Sequence, residues 1–496
     1  MFINLYKNNA IMNVPIILLE FLIVIIAIII RAFPAYKNKV GIDTWVHLLI
    51  AEEIKNNKYC TPKYIDYFIF KGPNDYPPFM HYLMAIFSKK TLQKIIWFIS
   101  PLVEGINTLL MFVVALILTK DYSIALLSSL LYVFVPVIVF ESDNLNTRPL
   151  GSLFFNISLF SNIYYVQNNN LSFLILAIFF GIILHLTHKM ATQTFWATTL
   201  LFSIIYLNPF YLMVLISSFL GTLIISKGHY LEILRGHISI ISFWNRHMSE
   251  YFTRDDYKEK ISPSIKPVSK AIIRILGLTN NPWVFFTFVA FLFSEEIIVS
   301  DPLFVWTILI YSYFILTSYI SIFKCFGDGY RYFEYGIMPT VILSANTIIL
   351  GTVPLILLGI ALFAFSILNS FRGLRNKGKR DIRFGQNSTL EKIFEIIKTS
   401  EKENIMCIPP NISFMASYFT KKKTLMALSP QAYEEAAVFM LGSPSKKNIG
   451  KLVNKYNINY IILDKTLYPK DTLDFNSIEY KMLVDENGYQ LLEVTK

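Results

Sequence analysis

Apolar positions along the chain gather in long blocks, and the polar positions collect in a few stretches between them. Blocks near the roughly 20 residues that cross a bilayer predict membrane helices. They are Val14–Ile30, Ile95–Leu118, Ile124–Phe140, Leu150–Val166, Leu171–His185, Ala191–Leu207, Phe210–Ser226, Trp283–Val299, Leu303–Phe323, Gly336–Leu350 and Val353–Leu368, about 11 spans in all. Asn208-Pro209 and Asp301-Pro302 punctuate neighbouring blocks, since proline opens a new helix and the residue before it cannot continue the old one. The first block holds one charge, Glu20, and ends at Arg31 without a small-x-small cleavage pattern, so it reads as a retained anchor.

Three stretches are predominantly polar. Residues 37–94 form a large amphipathic first loop, residues 227–281 a second loop, and residues 372–496 a soluble tail. The tail alternates short apolar runs at Ile405–Ile408, Thr424–Leu428 and Tyr460–Leu463 with helical stretches at Gln431–Leu441 and Lys447–Tyr456, and closes on a hairpin turning at Asn487-Gly488. The expected fold class is therefore mainly α: a polytopic membrane helix bundle over residues 1–371, followed by a small α/β accessory domain over residues 372–496.

Composition agrees, with 54% hydrophobic residues and a mean hydropathy of +0.48. The formal charge of +11 is spread over loops and tail without a nucleic-acid-binding motif, so anionic lipid headgroups are the expected counter-charge and no nucleic acid is implied. Three cysteines, Cys60, Cys325 and Cys407, have neither the number nor the spacing of a disulfide framework or a zinc site. An odd number of spans puts the basic clusters after the first span and after the last on one side, which the positive-inside rule alone would make cytoplasmic.

Chemistry concentrates at the mouths of the apolar blocks. Asp43 and His47 are four residues apart, on one face of a helix that Glu52 and Glu53 continue; the same pattern suits an interfacial helix capped by an acid. Tyr76-Pro77-Pro78 with His81 breaks the backbone and starts a new helix. Glu141 and Asp143, two apart and followed by Asn146, Thr147 and Arg148, can approach one cation together or can line a solvated loop. Arg331 lies in Gly329-Tyr330-Arg331-Tyr332-Phe333-Glu334-Tyr335, where its guanidinium suits a phosphate or pairs with Glu334 at helical spacing. Alternate counting of spans brings these stretches, with His185, His188 and Lys189, to the same face. The second loop adds Arg235, His237, Arg246, His247, Arg254 and Lys258, which suit lipid headgroups or a lipid carrier.

Taken in order, Gly41-Ile42-Asp43-Thr44-Trp45-Val46-His47-Leu48, Tyr76-Pro77-Pro78 with His81, Glu141-Ser142-Asp143, and Arg331-Tyr332 with Glu334-Tyr335 resemble multi-span C-type (GT-C) membrane glycosyltransferases. The nearest resemblance is to archaeal and bacterial oligosaccharyltransferase catalytic subunits, across Val14 to Leu368. It implies an inverting transfer of sugar from a polyprenyl-phosphate or -diphosphate donor to an unknown acceptor. The setting would be the external face of a prokaryotic cell membrane, with the tail on that face too. It also implies Asp43, with His47 and Asp143, in catalysis, and Asp43, Glu141 and Asp143 on a divalent metal, manganese or magnesium. Tyr76, His81, Arg148, His188, Arg331, Tyr332 and Glu334 would contact substrate. Two departures weigh against protein N-glycosylation or protein mannosylation: the tail lacks a Trp-Trp-Asp-Tyr-Gly-type motif, and Thr44 rather than an acid follows Asp43. Ser249-Glu250 and Ser294-Glu295 do not copy the family's later-loop glutamate motif. A lipid flippase or a non-catalytic membrane scaffold would share the many spans, but a transporter would be expected to hold its charges at mid-bilayer rather than at loop mouths.

Overall fold

The computed structural model describes residues 13–36, 40–41, 43–141, 145–259, 275–293, 301–380, 388–428, 449–466, 473, 475 and 478–495. Within the described residues, each apolar block is mostly helical. In chain order the bundle helices are α1 (Asn13–Ala32), α4 (Lys89–Thr119), α5 (Tyr122–Val133) with the short α6 (Pro136–Glu141), α7 (Arg148–Asn168), α8 (Leu171–His185), α9 (Lys189–Ile205), α10 (Pro209–Ile225), α12 (Pro282–Phe293), α13 (Pro302–Tyr319), α14 (Ile337–Leu350) and α15 (Val353–Arg380). Two helices precede α4 in the first loop, α2 (Asp43–Asn56) and α3 (Phe79–Ala85), and α11 (Tyr230–Glu259) follows α10.

Their boundaries follow from capping chemistry. Asn208 accepts from the Phe210 N–H at 3.0 Å and Asp301 from the Leu303 N–H at 2.7 Å, each with proline in the first turn. Ser88 caps α4 and Asp121 caps α5 in the same way. Within the bundle, serine and threonine hydroxyls return to carbonyls one turn back, as Thr108 does to Glu104 and Thr287 to Trp283. Gly181 lets α8 approach α10 closely: a Cβ there would lie 2.3 Å from Ser218 Oγ. Glu20, the one acid of the first block, is buried and accepts from Ser129 Oγ at 2.6 Å, while Leu18, Leu22, Ile25 and Ile29 of α1 face outward.

The bundle helices differ in length, and one expectation changes. Among the described residues, five helices are long and apolar enough to cross a membrane by themselves, and a sixth is obtained if α10 and α11, bent by 117°, are taken as one; others, such as α8 and α12, run only 15 and 12 residues. Kinks and loops cut the apolar blocks short, as where Phe134 and Val135 separate α5 from α6. The second loop is not a loop at its start, because residues 230–259 are helical.

The C-terminal part forms a five-stranded sheet in the order β2-β1-β3-β5-β4, from β1 (Asn404–Ile408), β2 (Lys423–Thr424), β3 (Tyr460–Asp464), β4 (Tyr480–Glu486) and β5 (Tyr489–Val494). β1, β2 and β3 are parallel, and β5 runs antiparallel to both β3 and β4. β3 is buried throughout and β1 nearly so, as an apolar central strand must be. Asn487 and Gly488, both at positive φ, make the tight β4–β5 turn. Helices α16 (Ser388–Thr399), α17 (Ile412–Thr420) and α18 (Ile449–Lys455) accompany the sheet. The stretch Gln431–Leu441 lies outside the described residues.

This sheet is joined to the first loop. Phe68 bridges Thr424 in parallel, the Ile69 N–H donates to the Thr424 carbonyl at 2.9 Å, and Phe70 enters the core of the sheet beside Met406 and Leu425. On the other side Trp45 of α2 packs against Tyr418 and Phe419 of α17, ring centroids 5.4 and 4.9 Å apart. Lys421 reaches Glu52 at 2.9 Å across the same seam. Because Trp45 is 2% exposed, Trp45→Ala is expected to cost about 3–5 kcal/mol. It should also expose the C-terminal sheet to limited proteolysis in detergent. A loss under about 1 kcal/mol with an unchanged digestion pattern would show that α2 does not carry the sheet.

Candidate functional site

At one end of the bundle α1, α5, α8 and α13 finish and α7, α9 and α14 begin. The first loop and the 3-10 turns at Ser321–Phe326 and Gly329–Gly336 fill the space between them. The polar stretches of the sequence meet there.

Asp43 opens α2 with its side chain exposed, where the helix N-terminus favours a carboxylate. The Thr44 hydroxyl accepts from the Leu145 N–H at 3.1 Å and so ties the segment leading into α7 to the start of α2. One turn along, His47 Nδ1 and His81 Nε2 are 2.9 Å apart, one donating to the other. Tyr76 packs edge-on against both rings, at 5.3 and 5.4 Å. Burial pushes His47 down to about 4, and burial with the His47 charge holds His81 well below the usual histidine range. Burial, then the charge of Asp43, push the Tyr76 phenol up to about 12. These three rings are neutral and support Asp43 from below.

His188 caps α9. Its Nδ1 accepts the Ala191 N–H at 3.2 Å, and the Tyr335 hydroxyl lies 3.2 Å from the same atom. With Nδ1 an acceptor, Nε2 carries the proton of the neutral ring. Burial, then the charges of Arg148 and Arg331, keep this imidazole well below its usual range. Gly151 leaves room for it, since a Cβ there would stand 2.8 Å from His188 Cβ. Beside it, Lys189 pairs with the buried Asp75 at 3.2 Å, and Gly236 of α11 presses on that acid so closely that a Cβ would fall 1.8 Å from Asp75 Oδ2. Gln193 joins the next layer, accepting from His237 at 3.1 Å and donating to the Tyr332 hydroxyl at 2.5 Å.

The arginines divide differently from the expected helical pair. Arg331 is about one-third exposed and pairs with Asp328 at 3.4 Å, whereas Glu334 is buried and pairs with Arg148 at 3.7 Å. The 3-10 geometry of Gly329–Gly336 turns Glu334 inward toward α7.

The structure thus gathers Asp43, His47, Tyr76, His81, Arg148, His188, Arg331, Tyr332 and Glu334 at one end. Asp143 lies outside the described residues, as does the side chain of Glu141. Sequence reading passed over Asp75, Gln193 and Glu104; Glu104 carried a usable signal, an acid inside an apolar block. The described residues do not by themselves fit a divalent metal. No three His, Cys, Asp or Glu side chains among them cluster with ligand geometry, and His47 and His81 are spent on each other.

No protein-family model matches the sequence, and no curated protein matches it either. Solved structures do match in fold. The archaeal oligosaccharyltransferase AglB of Archaeoglobus fulgidus, in complex with an inhibitory peptide and a dolichol-phosphate, superposes with a TM-score of 0.57. The identity is 11%, over 92% of this chain and 70% of that one. The Archaeoglobus fulgidus oligosaccharyltransferase complex with Zn and sulfate gives 0.57 at 12% identity, over 96% and 73%. ArnT from Cupriavidus metallidurans in the apo state gives 0.53 at 10% identity, over 95% and 97%. These likenesses, at 10–12% identity, show a shared fold.

The buried histidines make stability depend on pH. The folded-state pKa of His47, about 4, lies below its unfolded value near 6.5, so the unfolded chain binds the extra proton between them. The folded state should be fully favoured above about pH 6.5 and lose roughly 3 kcal/mol from His47 as pH falls to about 4. Melting in detergent across that window should show the loss, and His47→Gln should make the slope shallower. An identical slope in the variant would mean that His47 is not buried neutral.

Proposed function

We propose that this integral membrane protein transfers a sugar from a polyprenyl-phosphate or -diphosphate donor to an acceptor on the external face of a prokaryotic cell membrane. The observation that carries the reading is the grouping, at one bundle end, of an exposed carboxylate, Asp43, with the guanidinium of Arg331 and the neutral donor His188. The dolichol-phosphate and inhibitory peptide held by AglB support a lipid-linked donor and a separate acceptor. The alternation of helix ends along the chain supports about eleven crossings, which would put the N-terminal and C-terminal ends of the bundle on opposite faces and the soluble sheet beside the site. The exposed acid on the first loop, rather than at mid-bundle, favours transfer over transport.

In the proposed reaction Asp43 takes the proton of the acceptor's nucleophile as its lone pair attacks the anomeric carbon. The bond from that carbon to the phosphate oxygen breaks, and its electron pair leaves on the phosphate. Attack opposite the departing phosphate inverts the anomeric centre. Arg331 and the Nε2–H of His188 would meet the charge that develops there. The Tyr76, His47 and His81 rings hold the start of α2 rather than react. A divalent metal, if bound, would be held by Asp43, Glu141 and Asp143 and would supply positive charge at the same phosphate.

Asp43→Asn in purified protein should lower transfer by 10²–10⁴-fold, the scale of a general base, with donor affinity kept. Transfer at the wild-type rate would remove Asp43 from the reaction. A loss on adding EDTA that manganese or magnesium reverses would make it a metal ligand instead. Arg331→Lys keeps the charge but loses the planar fork, so affinity for a polyprenyl-phosphate sugar should weaken by about 1–3 kcal/mol. Equal affinity of the wild type, Arg331→Lys and Arg331→Ala would end the phosphate assignment.

A further inference from the structure

Between the part of the site that carries Asp43 and the part that carries His188 lies a buried ion pair to which the reaction above gives no role. The carboxylate of Asp75, in the first loop, meets the ammonium of Lys189, the first residue of α9, at 3.2 Å. Asp75 directly precedes Tyr76, whose ring packs against His47 and His81, and Lys189 directly follows His188. Resting on the reading in which Asp43 is the base and His188 meets the phosphate, we propose that Asp75 is a positioning residue: through Lys189 it sets the separation between the base and the phosphate end of the site.

The arm that transmits this contact is stiff. Tyr76 and Pro77 each precede a proline, which confines both to extended backbone, and the two proline rings fix their own φ. A second tie lies at the far end of the arm, where the Phe79 N–H donates to the Leu186 carbonyl at 2.9 Å, two residues before His188. Residues 75–79 are thus joined at both ends to the corner between α8 and α9. A shift of the Asp75 carboxylate displaces the Tyr76 ring, and with it the start of α2, relative to His188.

Stability alone does not call for charges here, because apolar side chains of similar volume serve as well or better in a buried position. The Asp75 side chain is 1% exposed and that of Lys189 17%. The surroundings restrict the acid to one place. A Cβ on Gly236 of α11 would fall 1.8 Å from Asp75 Oδ2, 2.3 Å from its Cγ and 2.5 Å from its Cβ, so the whole side chain is backed by that helix. The next residue, His237, bonds at 3.1 Å to Gln193, one turn along α9 from Lys189, and so ties α11 to the same element. A carboxylate held from behind and drawn forward by a cation fixes a distance as well as supplying attraction. In a transfer reaction a displacement of about 1 Å can cost on the order of 10²-fold in rate.

The test separates position from stability. Wild-type protein in nanodiscs is given polyprenyl phosphate or polyprenyl diphosphate carrying glucose, mannose, galactose or N-acetylglucosamine, with water as the nucleophile, and release of free sugar and lipid phosphate is followed. Asp75→Asn and Lys189→Met, each of which leaves a partner uncompensated, should melt below the wild type, and the double variant should melt close to it. All three should release sugar about 10–100-fold more slowly. Their affinity for bare polyprenyl phosphate should stay within about twofold of the wild type, because each half of the site is intact. Gly236→Ala displaces Asp75 without touching a charge, and should likewise slow release while keeping bare-lipid affinity. Wild-type release by the double variant or by Gly236→Ala would make the pair a packing feature and overturn the positioning role, with the donor reading left standing. Bare-lipid affinity that falls as far as the rate would put the pair in the phosphate site and would also overturn it. No sugar release by the wild type from any of these lipids would overturn the donor reading, and the positioning role with it.

Discussion

A charge withdrawn from water must be met by an opposite charge or by hydrogen bonds, and among apolar helices the partner has to come from another part of the chain. That requirement shapes the functional end of this bundle. Arg31 of α1 donates to the carbonyl of Tyr132, whose hydroxyl donates to Glu104 of α4, Arg148 of α7 meets Glu334 of the 3-10 turn, and Lys189 of α9 meets Asp75 of the first loop. Each pair spans two elements far apart in sequence. Together they fix where α1, α4, α7, α9 and the two connecting segments end relative to one another. The packing of the fold and the construction of the site are one arrangement.

The second constraint is the C-terminal sheet. Residues 67–70 run along the edge of that sheet while Trp45 lies under α17, so the first loop is held between the bundle and the soluble part. Asp43 sits at the start of the helix that Trp45 anchors. The exposed acid is therefore carried on a segment braced from both sides, which suits a group that must stay within hydrogen-bond distance of an incoming nucleophile. The buried His47–His81 pair fills the remaining space with rings that stay neutral.

Much of this was readable from residues. Uninterrupted apolar blocks foretold the helices, and Asn208-Pro209 and Asp301-Pro302 foretold two of their starts, because capping and proline chemistry are local. The Asn487-Gly488 turn was legible for the same reason. Partner choice was not: Arg331 and Glu334 have helical spacing, yet a 3-10 turn gives them Asp328 and Arg148 instead. Glu104 went unread inside its span, since its partner Tyr132 reaches it from another helix. The break at Phe134-Val135 was missed although Pro136 marks it, because the apolar run continues unbroken across it. The helix at residues 230–259 was hidden by its many charges.

The claim that this bundle end receives a lipid-linked sugar is tested most directly by photocrosslinking. A polyprenyl phosphate carrying a diazirine beside the phosphate is irradiated with the purified protein, and the adducts are mapped by mass spectrometry. Adducts on the Gly329–Gly336 turn and around His188, competed away by unlabelled lipid, are the expected result. Adducts confined to the outward face of α1 and α15, or unaffected by competitor, would contradict it.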